Sequence, residues 1–186
     1  MHLRTLKRLK KEWEDLKNDP IPLCTADPLD PNDLLEWKAT IQGPEGTPYE
    51  GGIYHLRMTF SNEYPFRPPK TVFLTRIFHP NISTTGGICL DILKDAWSPA
   101  LTVGKIVLSI SSLLADPNPS DPLMPDIAQM YIDDYSMFLS RASEYTRKYA
   151  MAESNKTTTT AVVAANSEEI ANSSSHLFPP PSFHPV

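Results

Sequence analysis

Apolar residues recur at helical spacing from the start of the chain. Leu3, Leu6, Leu9, Trp13 and Leu16 fall three or four positions apart, which predicts an amphipathic helix. Its other face carries Arg4, Lys7, Arg8, Lys10 and Lys11, and Asn18-Asp19-Pro20 stops it, because proline donates no N–H and disfavours helical dihedrals in the residue before it. The period then drops to two. Leu35, Trp37, Ala39 and Ile41 alternate with polar neighbours, as do Tyr54, Leu56, Met58 and Phe60, and each set predicts a half-buried strand. Gly43-Pro44-Glu45-Gly46-Thr47-Pro48 is the turn-rich connection between them. Thr71 to Ile77 reads as a third strand and Ile21 to Ala26 as an earlier fourth, so an antiparallel meander is the simplest assembly.

Beyond Phe78 regular periodicity lapses, then returns at Val103, Ile106, Val107, Ile110, Leu113 and Leu114. This wide apolar stripe predicts a central buried helix, with Thr102 as its N-cap. Two more helices are expected, from Pro125 to Asp133 and from Tyr135 to Ala150. Helix, four strands, then helices indicates an α+β domain with helices on one face of an antiparallel sheet, spanning residues 1–151. From Ala152 the composition changes to runs such as Thr157–Thr160, Asn172-Ser173-Ser174-Ser175 and Pro179-Pro180-Pro181. These offer no period that a core could use, and 152–186 is read as a disordered tail.

Composition narrows the class. The chain has 186 residues, 40% of them hydrophobic, which suits one domain with a modest core. A net charge of -5 argues against general nucleic-acid binding. No apolar run is long enough to span a bilayer, and Met1-His2-Leu3-Arg4 passes straight into a charged helix without a signal peptide. A cytoplasmic and nuclear protein with no membrane association is expected. The glycosylation-like triplets at Asn81, Asn155 and Asn172 are discounted on that ground. Cys24 and Cys89 are the two cysteines, too few for a disulfide framework or a CxxC metal pair. His2, His55, His79, His176 and His184 have no metal-ligand spacing, and Gly104-Lys105-Ile106 is not a phosphate-binding loop. No metal, no cofactor and no direct use of ATP are expected. Nineteen prolines, clustered at 65–69, 117–125 and 179–181, mark stiffened loops.

The chemistry concentrates between His79 and Asp91. Cys89 lies in a loop just after Gly86-Gly87, which are expected to leave its thiol open, and Asn81 stands upstream as a carboxamide. A nucleophilic thiol beside a fixed amide suits acyl transfer through sulfur. Cys24, among Ile21, Leu23 and Ala26, reads as a core filler. Asp91 and Asp95 would oppose ionisation of Cys89, so it reads as a carrier thiol exchanging with an activated thioester, not as a protease-like nucleophile. His79 is either a general base for Cys89 or, as preferred here, a residue that locks the turn through backbone hydrogen bonds. Asp121 either caps a turn within Asp116-Pro117-Asn118-Pro119 or accepts a hydrogen bond from an incoming amine in a partly dry cleft.

Several runs together resemble the ubiquitin-conjugating enzymes, closely their broad-acting four/five subgroup: His79-Pro80-Asn81-Ile82, Gly86-Gly87-Ile88-Cys89-Leu90-Asp91, Tyr64-Pro65-Phe66-Arg67-Pro68-Pro69, Trp97-Ser98-Pro99-Ala100-Leu101 and Asp116-Pro117-Asn118-Pro119-Ser120-Asp121-Pro122-Leu123. The resemblance covers Leu6 to Met151. It implies the ubiquitin-conjugating fold, with Cys89 as the thioester carrier, Asn81 supporting the oxyanion or holding the loop, and Asp91 and Asp121 serving the incoming lysine. It assigns His79 and Pro80 structural roles at the site. It implies that Lys7 and Arg8 engage the ubiquitin-activating enzyme, which is where ATP is used. Phe66, Arg67, Pro99 and Ala100 correspond to the groove for RING-type, U-box or HECT-type ubiquitin ligases. Thr25 corresponds to the backside sheet position, and Leu108 and Ser112 to donor-ubiquitin contacts. The implied protein is a monomer that acts on substrate proteins. Phe78, where the family often has tyrosine, and the polar loop Ser83–Gly87 are departures. Two rivals are a carrier of another ubiquitin-like modifier and an inactive ubiquitin-binding scaffold.

Overall fold

Four strands pair in chain order into one antiparallel sheet: β1 (Cys24–Asp30), β2 (Asp33–Gln42), β3 (Ile53–Thr59) and β4 (Lys70–Phe73). The computed structural model describes residues 2–151; the stretch 152–186, read from its composition as disordered, lies outside the described residues. Register places Ala26 opposite Ala39, Ala39 opposite Leu56, and Leu56 opposite Phe73. All four side chains are buried, so one continuous apolar row crosses the sheet. Thr25, Lys38 and Arg57 alternate onto the other, exposed face, as a period of two requires. Pro28 is accommodated because β1 is an edge strand, with a register irregularity between Pro28 and Asp30.

The helices are α1 (His2–Asn18), α2 (Val103–Ala115), α3 (Pro125–Asp133) and α4 (Tyr135–Tyr145), the last continuing into a π-helical turn, Thr146–Ala150. Both α1 and α2 contact β1 and β2 and each other. The sequence of α2 is rich in β-branched residues and serine and carries Gly104, a poor set by intrinsic propensity. Tertiary burial stabilises it instead: Val103, Ile106, Val107, Ile110, Leu113 and Leu114 are all buried, at roughly 1.5–3 kcal/mol for each fully buried large aliphatic side chain. Thr102 caps it as expected, its hydroxyl accepting from the Lys105 N–H at 3.3 Å.

The expected α+β architecture and its four-stranded meander are present, with several boundaries moved. The first strand begins at Cys24 and runs to Asp30, not from Ile21 to Ala26; Leu23 sits outside it with a positive φ of 62° and an exposed side chain. The strand expected over Thr71–Ile77 stops at Phe73, where the N–H groups of Leu74 and Thr75 turn to the carbonyl of His55. Leu3, placed by periodicity on the apolar face of α1, is 66% exposed, whereas Thr5 and Glu12 are buried. Thr5 donates its hydroxyl to the carbonyls of Asn62 and Tyr64. Glu12 accepts from the Tyr64 hydroxyl and from the Val103 N–H, both at 2.7 Å. A buried polar side chain is tolerated when its hydrogen bonds are satisfied, and a hydrophobicity pattern does not register that.

Candidate active site

The active-site loop is built against the end of β4. The Phe73 N–H donates to the Gly86 carbonyl at 2.9 Å, and Val72 forms an antiparallel bridge with Gly87. Gly86 has φ +85°, and a Cβ there would lie 2.1 Å from the Phe73 carbonyl oxygen. Only glycine supplies both the conformation and the clearance. Its function is this close crossing, so the expectation that the two glycines leave the thiol open is corrected: Cys89 is only 8% exposed.

Asn81 holds the centre. It is fully buried, and its carbonyl accepts from the Cys89 N–H at 2.8 Å. Its side-chain amide donates to the carbonyls of Asn118 (2.7 Å) and Asp121 (3.0 Å) and accepts from the Asn118 N–H at 2.8 Å. One residue thus fastens the Cys89 segment to the loop that carries Asp121. His79, also fully buried, accepts the Asn81 N–H at Nδ1. Nδ1 therefore lacks a proton, and Nε2 donates to the Leu113 carbonyl at 2.9 Å. Both ring nitrogens are occupied away from Cys89, and burial lowers the His79 pKa to about 4. The turn-locking reading of His79 matches this geometry. Buried Pro80 contributes its carbonyl, which accepts the N–H groups of Leu123 and Met124 at 2.9 Å.

The thiol lies between two opposite charges. Cys89 Sγ donates to Asp121 Oδ2 at 3.0 Å, and Lys94 Nζ donates to Sγ at 3.0 Å. Burial raises the thiol pKa, the Asp121 hydrogen bond adds to the rise, and Lys94 opposes both. Asp91 and Asp95 were expected to disfavour the thiolate, and here the structure corrects the sequence reading. The carboxylate that does so is Asp121, 32 residues downstream. Asp91 is exposed and accepts the N–H of Ile92 at 2.7 Å, at the start of a single 3-10 turn, Asp91–Leu93. Lys94 escaped the sequence reading; its signal would have been its place five residues after the cysteine, just past that short turn. Chemically, the site offers a mostly protonated sulfur nucleophile, a carboxylate to take its proton, and a cation to balance the thiolate.

Residues 8–146 match the sequence model of the ubiquitin-conjugating enzyme family. The chain belongs to the ubiquitin-conjugating enzyme family. It is a conjugating enzyme, an acyl transferase whose intermediate is a thioester. Cys24, its other cysteine, is buried in the core, and among the described residues no three His, Cys, Asp or Glu side chains gather as a metal site.

The remaining expected residues of this conjugating enzyme lie on its surface. Phe66 is 64% exposed, and Arg67 pairs with Glu63 at 2.8 Å. Pro99 and Ala100 are exposed on the second loop. The two loops are joined by Trp97, whose Nε1 donates to the Pro65 carbonyl at 2.9 Å. Lys7 is exposed on α1. Arg8 is half-buried and turned inward, pairing with Glu12 and donating to the Leu101 carbonyl at 3.1 Å. Thr25 is exposed on the outer sheet face, opposite Thr40. Leu108 and Ser112 are exposed on α2, where the Ser112 hydroxyl donates to the Leu108 carbonyl.

Proposed function

We propose that this conjugating enzyme accepts ubiquitin from the ubiquitin-activating enzyme as a thioester on Cys89 and passes it, with a ubiquitin ligase, to lysines of substrate proteins. The observation that carries the reading is the placement of Cys89 Sγ 3.0 Å from both Asp121 Oδ2 and Lys94 Nζ. Loading is a thiol–thioester exchange: the Cys89 proton leaves to Asp121, the sulfur attacks the incoming acyl carbon, the old C–S bond breaks, and the departing thiolate takes up the proton from Asp121. Once Cys89 is acylated, Asp121 has lost its thiol donor and is free to accept a hydrogen bond from an acceptor amine. That amine has a free pKa of about 10.4 and must be oriented and desolvated before it attacks.

Asn81 acts in this scheme by holding the Asp121 loop, since both of its amide protons already bind backbone carbonyls. Asp91, exposed beside the site, meets the substrate lysine further out. Phe66, Arg67, Pro99 and Ala100 form the ligase-docking patch for RING-type, U-box or HECT-type partners. Exposed apolar groups on loops tied together by Trp97 need little ordering on binding. Lys7 meets the activating enzyme, and Arg8 supports that face through its contacts with Glu12 and Leu101. Thr25, Leu108 and Ser112 contribute ubiquitin contacts. The likeness to the four/five subgroup supports ubiquitin over another modifier, in the cytoplasm and nucleus.

The test mixes the protein with ubiquitin, the activating enzyme and ATP, followed by gels with and without reductant. A reductant-sensitive adduct that Cys89→Ala loses and Cys24→Ala keeps establishes the reading. Loading only by another ubiquitin-like modifier with its own activating enzyme overturns the choice of ubiquitin.

A further inference from the structure

The far end of the active-site loop borders a cavity of about 400 Å³. The loop is a hairpin: Ile82 pairs with Ile88, the Ser83 N–H donates to the Gly87 carbonyl, and the turn runs from Ser83 to Gly86. Cys89 sits on the return arm, three residues after Gly86. The cavity lies between the hairpin tip and the end of β4, and Thr75, Arg76, Ser83, Thr84, Thr85 and Tyr145 contribute to its wall. Both sides are pinned by backbone hydrogen bonds, from the Phe73 N–H to the Gly86 carbonyl at 2.9 Å and from the Leu74 N–H to the His55 carbonyl at 2.8 Å.

The wall is chemically one-sided. Although the chain has 22 acidic residues and a net charge of -5, none of the described residues lining this cavity is acidic, and Arg76 is the charged one. Its hydroxyls are set to donate. Thr75 Oγ1 accepts the His55 N–H at 2.9 Å, and Ser83 Oγ accepts the Gly87 N–H at 2.9 Å. A hydroxyl whose oxygen has taken an N–H still has its own proton to give. Ser83 and Thr85 share one hydrogen bond at 3.0 Å, which leaves this pair one further O–H. Arg76 is itself held in place. Its guanidinium carbon lies 5.5 Å, and Lys148 Nζ 5.2 Å, from the centre of the Tyr149 ring. Hydrogen bonding from Lys148, and then from Arg76, draws the Tyr149 phenol below its usual pKa. Among the described residues no carboxylate forms an ion pair with either cation.

We propose that this cavity is an anion subsite for the acceptor polypeptide, taking a carboxylate or phosphate on a side chain a few residues from the lysine that is modified. The proposal rests on the reading of Cys89 as the acyl carrier and adds a substrate class to it. Charge complementarity carries it: a fixed guanidinium, hydroxyl donors and no competing acid suit an anionic group. Reach agrees with it. Three residues separate Gly86 from Cys89, so their Cα atoms are at most about 11 Å apart, a distance an extended substrate covers in three or four residues. An exposed ion pair contributes little by itself, but added hydroxyl donors on walls that need no ordering bring the preference for an acidic acceptor to roughly threefold to tenfold.

The first arm of the test uses the unloaded full chain, isotope-labelled for amide NMR. Three lysine peptides are titrated in: one neutral, one with glutamate and one with phosphoserine, the acid about four residues from the lysine. The expected result is amide shifts at Thr75, Arg76 and Thr84–Gly86 with the acidic peptides, none with the neutral one, and weakening as salt is added. Arg76→Gln abolishes the shifts, and Arg76→Lys keeps part of them. A response to phosphoserine alone names phosphate as the ligand, a response to glutamate alone names carboxylate, and a response to neither overturns the proposal. In the second arm, protein loaded with ubiquitin is discharged onto the same peptides over a range of peptide concentrations. The acidic peptide should half-saturate at a concentration roughly threefold to tenfold lower than the neutral one, with a similar maximal rate. Arg76→Gln removes that difference, and so does moving the acid next to the lysine. A preference that survives Arg76→Gln, one that is equal at every spacing, shifts confined to the basic face of α1, or binding that leaves all peptides equal as acceptors overturns the proposal. Failure to load ubiquitin would sink the proposed function and leave the binding arm standing.

Discussion

The carboxylate of Glu12, in α1, accepts a hydrogen bond from the backbone N–H of Val103, the first residue of α2, at 2.7 Å. The same carboxylate accepts from the Tyr64 hydroxyl at 2.7 Å and pairs with Arg8. Glu12 is 4% exposed, so two segments distant from α1 in the chain converge with it on one buried anion, placed where the first turn of a helix favours negative charge. Arg8 then reaches the Leu101 carbonyl, which ties α1 to the loop carrying Pro99 and Ala100.

Glu12→Ala should therefore destabilise the domain by about 3 kcal/mol or more, because it leaves the Val103 N–H, the Tyr64 hydroxyl and the Arg8 guanidinium without their partner. Urea denaturation followed by circular dichroism reads this directly. Glu12→Gln retains an acceptor and should lose less. A loss below about 1 kcal/mol in the alanine variant would mean that water replaces the carboxylate.

Buried His79 makes stability depend on acid. Its folded pKa, about 4, lies below the unfolded value of about 6.5, so the unfolded chain binds the extra proton between those values. The contribution is fully present above pH 6.5 and is lost as pH falls from 6.5 towards 4. The gap of 2.5 units at about 1.4 kcal/mol each corresponds to roughly 3 kcal/mol. Urea midpoints at pH 7 and pH 4.5 measure it, and His79→Gln, though less stable throughout, should show a flatter profile over that window. An equal slope in both proteins would assign the acid sensitivity elsewhere.

The thiol of Cys89 should titrate above the roughly 8.5 of a free cysteine, as burial and Asp121 outweigh Lys94. Iodoacetamide alkylation against pH, in a Cys24→Ala background, gives the value. Asp121→Asn should move it down and Lys94→Ala up. An apparent pKa below neutral would contradict the carrier-thiol reading.

Releasing Asn81 from the loop should separate the two half-reactions. Asn81→Ala removes three side-chain hydrogen bonds to residues 118–121 and with them the placement of Asp121. Misplacing an orienting group by about an ångström costs on the order of a hundredfold in rate. Single-turnover transfer from the loaded enzyme to free lysine should fall by that order, with loading affected much less. Equal losses in both steps would place the function of Asn81 at the thiol itself.

Much of this molecule can be read from local order in the chain. Helical and strand periods specified α1, α2 and the meander, because they report which face of each element leaves water, and the run Gly86–Asp91 marked the nucleophile. Gly86 was visible as a glycine, but its reason, the Phe73 carbonyl 2.1 Å from its missing Cβ, exists only once β4 and the loop cross. Leu3 is exposed against expectation and Glu12 is buried for a similar cause: a hydrophobic period counts side chains, while burial follows what the neighbouring segments offer.

The charge environment of Cys89 shows the division most sharply. Sequence by itself determined the fold class, the His79-Pro80-Asn81 turn and Cys89 as the candidate nucleophile, since dihedral preference and apolar periodicity act over a few residues. It pointed to Asp91 and Asp95, two and six positions away, as the acids opposing the thiolate. Tertiary structure chose Asp121 instead and added Lys94, both 3.0 Å from Sγ. Electrostatic partnership depends on distance through space and on burial, and here both are set by Asn81 drawing the loop at 118–121 over the cysteine.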